Sequence, residues 1–506
     1  MDTDAIAFGT DGWRDTLDEF TDERVRAVGQ AVADYLAAEV VDGDGPDPAS
    51  GDTETVLVGY DARPSSEGFA ESLADVLAGN GFDVLLPERD RPTPLTAYGI
   101  VDRDALGALM LTASHNPPEY NGVKFIPDDG APALPEVTDE IVARLREPDA
   151  DATGDDRGEI SRVDFQTPHA DHARDVVGRY VGEDTSRDDG ADADGDGRDD
   201  STDGVTEPDL SGLTVAYDAI HASGRGVTDA LLESAGADVI GLRTDADPEF
   251  GGASPEPSAE YLDELVETVV EGEAEIGFAN DGDADRLAVV TPGRGLVDEN
   301  LLYAATYDAL LDADTGPAVR TVSTTFLIDR IAEAHDTETV ETAVGFKWVA
   351  AAMGESDALM GGEESGGFSV RGHIREKDGV LMSLLVAALH AEESFDERID
   401  RIEDEHGEIV ADKVSVDCPD EAKTEVIDAL GDVIPDSVAD RGVADVVTVD
   451  GFKLLLDDGS WLLVRPSGTE PKVRVYAEAD SETATDAILA DGRELVEPVV
   501  EDVTGE

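Results

Sequence analysis

Short apolar or β-branched runs alternate with longer stretches whose apolar residues recur at helical spacing, and this rhythm organises most of the chain. From Ala5 to Arg146, the runs Val56–Tyr60, Val84–Leu86 and Leu106–Thr112 read as buried strands. Amphipathic stretches lie between such runs. The first spans Thr21 to Val40, where Thr21 can cap and Asp22 and Glu23 suit a helix start. The alternation returns with Leu213–Ala219, a helix to Ala235, the run Asp238–Leu242 and a helix from Ser258. It returns once more with Val319–Thr324, a helix near Phe326–His335 and a helix over Asp378–Glu393. Strand and helix in alternation predict three successive α/β mixed-sheet domains, with no repeat of constant length. After Glu408 the pattern shifts to short strands at Val446–Asp450, Lys453–Leu456, Trp461–Val464 and Val473–Tyr476, joined by turns such as Asp457-Asp458-Gly459. That predicts a C-terminal α+β domain on an antiparallel sheet. The expected domains run 1–160, 161–296, 297–408 and 409–506. Residues 183–207 are nearly all Asp, Gly, Ser, Thr and Arg, cannot build a core, and read as a disordered surface insertion in the second domain.

Length agrees with this division, since 506 residues exceed what one core holds, and 40% hydrophobic residues suffice for several. Charge changes the picture more. The chain carries 118 acidic and 36 basic residues, a formal net charge of −82. Such a surface repels itself in dilute buffer, whereas in molar salt the Debye length falls to about 3 Å. Acids are spread through every periodic segment and not gathered in a tail, so the reading is a halophilic protein built for high internal salt. A polyanion lacks the basic footprint that nucleic acid or an anionic membrane demands, which leaves small-molecule substrates. One cysteine, Cys418, allows no intrachain disulfide. The N-terminus has no basic segment followed by an apolar core, and the longest apolar stretch, Val380–Leu389, is about ten residues. A cytoplasmic protein is expected, with no membrane span.

Four loops carry candidate chemistry. Thr112-Ala113-Ser114-His115-Asn116-Pro117-Pro118 follows an apolar strand and precedes Lys124. A hydroxyl at a strand end can act as nucleophile or phosphoryl carrier, with Lys124 beside it to move a proton or steady charge. The same residues also make an ordinary turn, and taken alone that reading leads. Asn280-Asp281-Gly282-Asp283-Ala284-Asp285-Arg286 lies between two buried strands. Alternate carboxylates separated by small residues can converge on one hard cation, and magnesium suits them. In a chain this acidic, a D-x-D-x-D arises by chance on the order of once. Asp192–Asp203 shows the hazard: it begins like an EF-hand loop but ends on Asp203 instead of Glu, with no flanking amphipathic helices. Met360-Gly361-Gly362-Glu363-Glu364-Ser365-Gly366-Gly367 offers Glu363 and Ser365 to sugar hydroxyls, or is equally a flexible turn, with Lys347 and His373 nearby in sequence. A lone His is more often structural, so His373 ranks low. Arg465-Pro466-Ser467-Gly468-Thr469 can wrap a phosphate with one guanidinium, two hydroxyls and the Gly468 amide, and here phosphate binding has the edge over a capped turn.

Together and in this order, with Phe8-Gly9-Thr10-Asp11-Gly12-Trp13-Arg14 at the start, the loops resemble the α-D-phosphohexomutase superfamily, whose four domains surround a central cleft. The resemblance covers nearly the whole chain apart from the acidic insertion. It implies that Ser114 is a phosphoserine that helps Asp281, Asp283 and Asp285 hold Mg2+, with Arg14, His115, Lys124 and Arg286 around it. Lys347, Glu363 and Ser365 would bind the sugar, while Arg465, Ser467, Gly468 and Thr469 would hold the non-reacting phosphate. The implied reaction interconverts hexose 1-phosphate and hexose 6-phosphate through a hexose 1,6-bisphosphate, which also serves as activator. Gly366-Gly367 after Ser365 and the Gly345-Phe346-Lys347-Trp348 segment lean toward members acting on glucose. Phosphomannomutase or dual specificity comes next, then phosphoglucosamine mutase. A sugar phosphatase and a non-enzymatic binding protein are the rivals from other classes.

Overall fold

The computed structural model describes residues 6–9, 12–41, 54–148, 157–181, 207–468 and 470–505. Residues 183–206 of the acidic insertion, with the whole Asp192–Asp203 loop, lie outside the described residues, as does Thr469.

The β-branched and apolar runs form strands because both faces of each central strand are covered by helices. The first sheet has the order Trp13–Thr16, Tyr120–Pro127, Gly107–Leu111, Thr55–Tyr60, Asp83–Pro87, Ile160–Val163. Its last four strands pair in parallel, and Tyr120–Pro127 folds back antiparallel on Gly107–Leu111. The second sheet has the order Gly295–Leu296, Leu287–Thr291, Ile276–Asn280, Thr214–Asp218, Asp238–Leu242, with Leu287–Thr291 antiparallel to Ile276–Asn280. The third has the order Thr339–Thr342, Ala318–Thr321, Met360–Gly362, Phe368–Val370, the last strand antiparallel to Met360–Gly362.

One construction therefore occurs three times. In each domain a parallel strand ends, a short loop turns, and the chain returns antiparallel. Those loops are 112–119, 281–286 and 363–367, and all three lie at the carboxyl edge of parallel strands, where open α/β sheets bind ligands. The fourth domain is an antiparallel sheet in the order Val410–Asp417, Lys472–Ala479, Trp461–Pro466, Phe452–Leu456, Arg441–Val447, Ser437–Val438, backed by the helix Glu482–Thr504. Three mixed-sheet α/β domains and a C-terminal antiparallel domain are thus the architecture.

Some elements depart from expectation. Ile160–Val163 is the edge strand of the first sheet, so the boundary drawn at 160 cuts a strand. Its Ile-Ser-Arg-Val sequence is half exposed and shows no apolar run to read. The strand expected at Val446–Asp450 is Arg441–Val447, which leaves Asp450 in a turn where it has another use. The helix expected from Ser258 starts at Asp263, after a turn whose Tyr261 carbonyl accepts from Arg243. The helix Gly379–Glu392 is buried on every side from Gly379 to Leu389 and packs on helices Gln166–Val177 and Thr228–Ser234, which explains its unbroken hydrophobicity. Among the described residues no helix is long and apolar enough to cross a membrane.

Candidate active site

Ser114 sits in the left-handed region at φ 50°, an uncommon conformation for a residue with a side chain, and it is buried. Arg63, just past the strand Thr55–Tyr60, fixes that turn. Its Nη2 donates to the carbonyls of Ser114 at 2.7 Å and Asn116 at 2.6 Å. Its Nη1 donates to those of Pro117 at 2.6 Å and Tyr120 at 3.1 Å. Its Nε donates to Asp61 Oδ2 at 3.0 Å, inside a pair with no exposed side-chain surface. So held, Ser114 Oγ donates to Asp281 Oδ2 at 2.8 Å across 167 residues of sequence.

Asp281, Asp283 and Asp285 are all fully buried, with one oxygen of each lying within 4.8 Å of the others. Gly282 between them is required. A Cβ there would stand 2.2 Å from the Ser114 carbonyl oxygen, so any side chain would push the two loops apart. Burial, then the neighbouring charges of Asp285 and Asp283, pushes the Asp281 carboxyl far above its ordinary range. Burial also works against ionised Asp283, but Lys124, the Thr93 hydroxyl and Lys377 outweigh it and hold that group low. Thr93 Oγ1 donates to Asp283 Oδ2 at 2.6 Å, and Lys124 Nζ lies 3.3 Å from the same oxygen. Lys377 Nζ lies 2.9 Å from Asp285 Oδ2. Asp283 Oδ1 and Asp285 Oδ1 are buried with no hydrogen-bond partner among the described residues. Hard carboxylate oxygens with vacant lone pairs, and a third carboxyl whose charged form burial and its two neighbours disfavour, fit a divalent cation.

Cations ring this centre. Arg286 Nε lies 4.0 Å from both Asp281 and Asp285, and Arg14 pairs through its strand with Gly122, two residues before Lys124. His115 Nδ1 is 3.4 Å from Ser114 Oγ. Arg286, burial and Arg14 depress its pKa to about 2, so the imidazole is neutral.

The third domain joins through an isolated β-bridge between Arg286 and Gly367. Buried Glu363 accepts from the Gly345 amide at 2.9 Å, which places the 345–348 segment, with Lys347, against the Glu363 loop. Ser365 is half-buried in the turn between the strands Met360–Gly362 and Phe368–Val370. In the fourth domain Arg465 Nε donates to Asp450 Oδ2 at 2.8 Å, and the same oxygen accepts from the Val344 amide at 3.2 Å. Asp450 thus ties the Arg465 loop to the 344–345 turn. Ser467 is buried, its carbonyl accepts from Lys423 Nζ at 2.6 Å, and Gly468 is exposed.

Models of the phosphoglucomutase/phosphomannomutase family match the chain four times in order. Alpha/beta/alpha domain I covers residues 5–152, domain II 202–295, domain III 298–405 and the C-terminal domain 414–495. The chain belongs to this family. A protein named "Probable phosphoglucosamine mutase" from Methanopyrus kandleri is 31% identical over 499 residues, 98% of this chain and 99% of that protein. A "Phosphoglucomutase/phosphomannomutase" from Thermococcus kodakarensis is 28% identical, with 97% of this chain and 98% of the relative covered. A crystal structure described as a "putative phosphomannomutase" from Thermus thermophilus superposes with a TM-score of 0.77 at 28% identity, over 97% of this chain and 99% of that one.

As a phosphoglucomutase/phosphomannomutase family member the chain is a mutase, an isomerase that works by phosphoryl transfer. Its site also contains residues that sequence reasoning missed. Arg63, Asp61, Thr93, Lys377 and Lys423 all hold candidate residues in place. The signal for Arg63 was present, since Asp61-Ala62-Arg63 leaves a strand end as Ser114 does. Lys377 gives no local signal, because its charge looks like any other until the fold brings Asp285 to it.

Proposed function

We propose that the chain interconverts the 1- and 6-phosphates of a hexose, carrying the transferred phosphoryl group on Ser114. The observation that carries this reading is the Ser114 hydroxyl, held in a left-handed turn 2.8 Å from Asp281 within the buried carboxylate triad. Asp281, Asp283 and Asp285 would hold Mg2+, which when bound neutralises charge on the transferring phosphoryl group. Around it, Lys124, Lys377, Arg286 and Arg14 supply fixed positive charge, and neutral His115 lies with its Nδ1 3.4 Å from the Ser114 oxygen. In the first half-reaction the Ser114 O–P bond breaks as a sugar hydroxyl forms the new O–P bond, and the proton that hydroxyl gives up passes in net to the freed Ser114 oxygen. The second half-reaction is the reverse at the other end of the bisphosphate, which acts as activator because it regenerates phosphoserine. Glu363, Ser365 and Lys347 orient the sugar. Arg465, Ser467, Gly468 and Thr469 hold the non-reacting phosphate, so one clamp serves both orientations.

The relative named for phosphoglucosamine supports glucosamine phosphates as the substrate. Glucose, on which Gly366-Gly367 and Gly345–Trp348 bear, becomes the second reading, and mannose the third. Turnover of the glucosamine, glucose and mannose 1-phosphates should be compared side by side in molar salt, with free phosphate followed in parallel. The 6-phosphate should form without phosphate release, and Ser114→Ala should abolish it while leaving the fold intact. Phosphate release matching substrate loss would replace the mutase with a phosphatase. The acidic surface supports a working environment of high salt.

A further inference from the structure

The chain has eight histidines; two of them meet one carboxylate behind the catalytic centre, and a third bonds one of those two. Asp378 directly follows Lys377, the residue whose Nζ meets Asp285. Its Oδ1 accepts from the amides of Val380 at 2.9 Å and Leu381 at 2.8 Å, capping the buried helix Gly379–Glu392. Its Oδ2 accepts from His169 Nε2 at 2.6 Å and lies 3.0 Å from His373 Nε2. His172, one turn along the helix Gln166–Val177 from His169, bonds His373 Nδ1 at 3.1 Å, and the Tyr98 ring stacks on His172 at 4.3 Å. Tyr98 belongs to the helix Thr93–Asp102, whose first residue holds Asp283. Burial would push the Asp378 carboxyl up, but His169 and His373 hold it well below the usual carboxylate range, so a charge persists there.

This cluster fixes the backbone that aims Lys377. The Asp378 amide donates to the Phe368 carbonyl at 3.0 Å. At Gly379 a Cβ would stand 2.2 Å from the Arg286 carbonyl, so the helix start is pressed against the metal loop with no slack. Asp378 therefore has its amide, both carboxylate oxygens and its next residue constrained. Of the donors to its carboxylate, His169 comes from furthest along the chain, across 209 residues of sequence. We propose that His169 is a positioning residue that, through Asp378, sets where Lys377 meets Asp285.

The proposal rests on the mutase reading for its kinetic test, but a metal-binding test stands apart from it. In His169→Leu, kcat for the best hexose 1-phosphate is expected to fall about 10- to 100-fold with KM within about twofold, as for loss of a group that orients a metal ligand. Mn2+ binding, followed by electron paramagnetic resonance and independent of turnover, should weaken about tenfold. His169→Gln, whose amide nitrogen reaches the place of Nε2, should recover most of both. His169→Asn, which is too short, should not. Where the Leu variant fails to fold, the Gln and Asn variants decide. Equal Mn2+ affinity in His169→Asn and the parent would overturn the proposal, as would equal loss in the Gln and Asn variants. Stoichiometric zinc bound by His169, His373 and Asp378 in the purified protein would overturn it too, since metal rather than a hydrogen bond would then hold Asp378. Absence of mutase turnover in the parent with weakened Mn2+ binding in His169→Asn would remove the mutase reading and leave the positioning role standing.

Discussion

Replacing Arg63 by Ala should unfold the Ser114 loop before anything else in the first domain. The side chain is fully buried and donates to Asp61 and to four backbone carbonyls of residues 114–120. Its loss leaves Asp61 as an uncompensated buried carboxylate, a change that costs about 3–5 kcal/mol in comparable pairs. Each carbonyl left short of a donor adds about 1 kcal/mol, and water entering the vacated space offsets part of that. A net loss of about 4–6 kcal/mol follows, a large share of the ordinary stability of a domain. Arg63→Lys keeps a charge near Asp61 but cannot span four carbonyls, so it should lose about 2–3 kcal/mol. Native-state hydrogen exchange in molar salt measures this locally. The Thr112 amide, bonded to the Gly122 carbonyl at 3.0 Å, and its neighbours should exchange about three to four orders of magnitude faster in Arg63→Ala. Turnover should be lost in parallel, because Ser114 is no longer held in its left-handed turn. A loss below about 1 kcal/mol, or an Arg63→Lys protein indistinguishable from the parent, would refute the reasoning.

Binding of Mg2+ should release a proton below the raised pKa of Asp281, because that carboxyl is held above its ordinary range and must ionise to become a ligand. The apparent affinity should rise with pH, by up to about tenfold per unit, and level off above the raised pKa. Calorimetry in two buffers of different ionisation enthalpy counts the proton; no buffer dependence would refute the shift. Gly282→Ala places a methyl group against the Ser114 carbonyl at 2.2 Å and should lower kcat by at least about 100-fold with the fold retained; activity within twofold of the parent would show that the loops have slack. Transfer from molar salt to dilute buffer should unfold the protein, as seen by circular dichroism, since a net charge of −82 is then unscreened. Full stability there would contradict the high-salt reading.

The order of strands and helices was legible along the chain because hydrophobic periodicity is local. A strand such as Thr55–Tyr60 must present apolar residues to helices on both faces wherever it ends up. The loops at 112–118, 280–286, 360–367 and 465–469 were legible for a related reason: each gathers small residues and one kind of chemistry directly after such a strand. Ile160–Val163 escaped because an exposed edge strand needs no apolar run. The resemblance grouped Ser114 with the three aspartates and several cations, but the individual contacts were decided by the tertiary structure. Nothing near Asp281 in sequence shows that Ser114 will donate to it, that Lys377 will face Asp285, or that His169 will reach Asp378. Those distances depend on how domains pack, and packing brings together residues whose local surroundings carry no trace of one another. The pKa shifts belong to the same category. Asp281 and Asp283 are identical residues two positions apart, and opposite shifts arise because one meets carboxylates while the other meets Lys124 and Thr93.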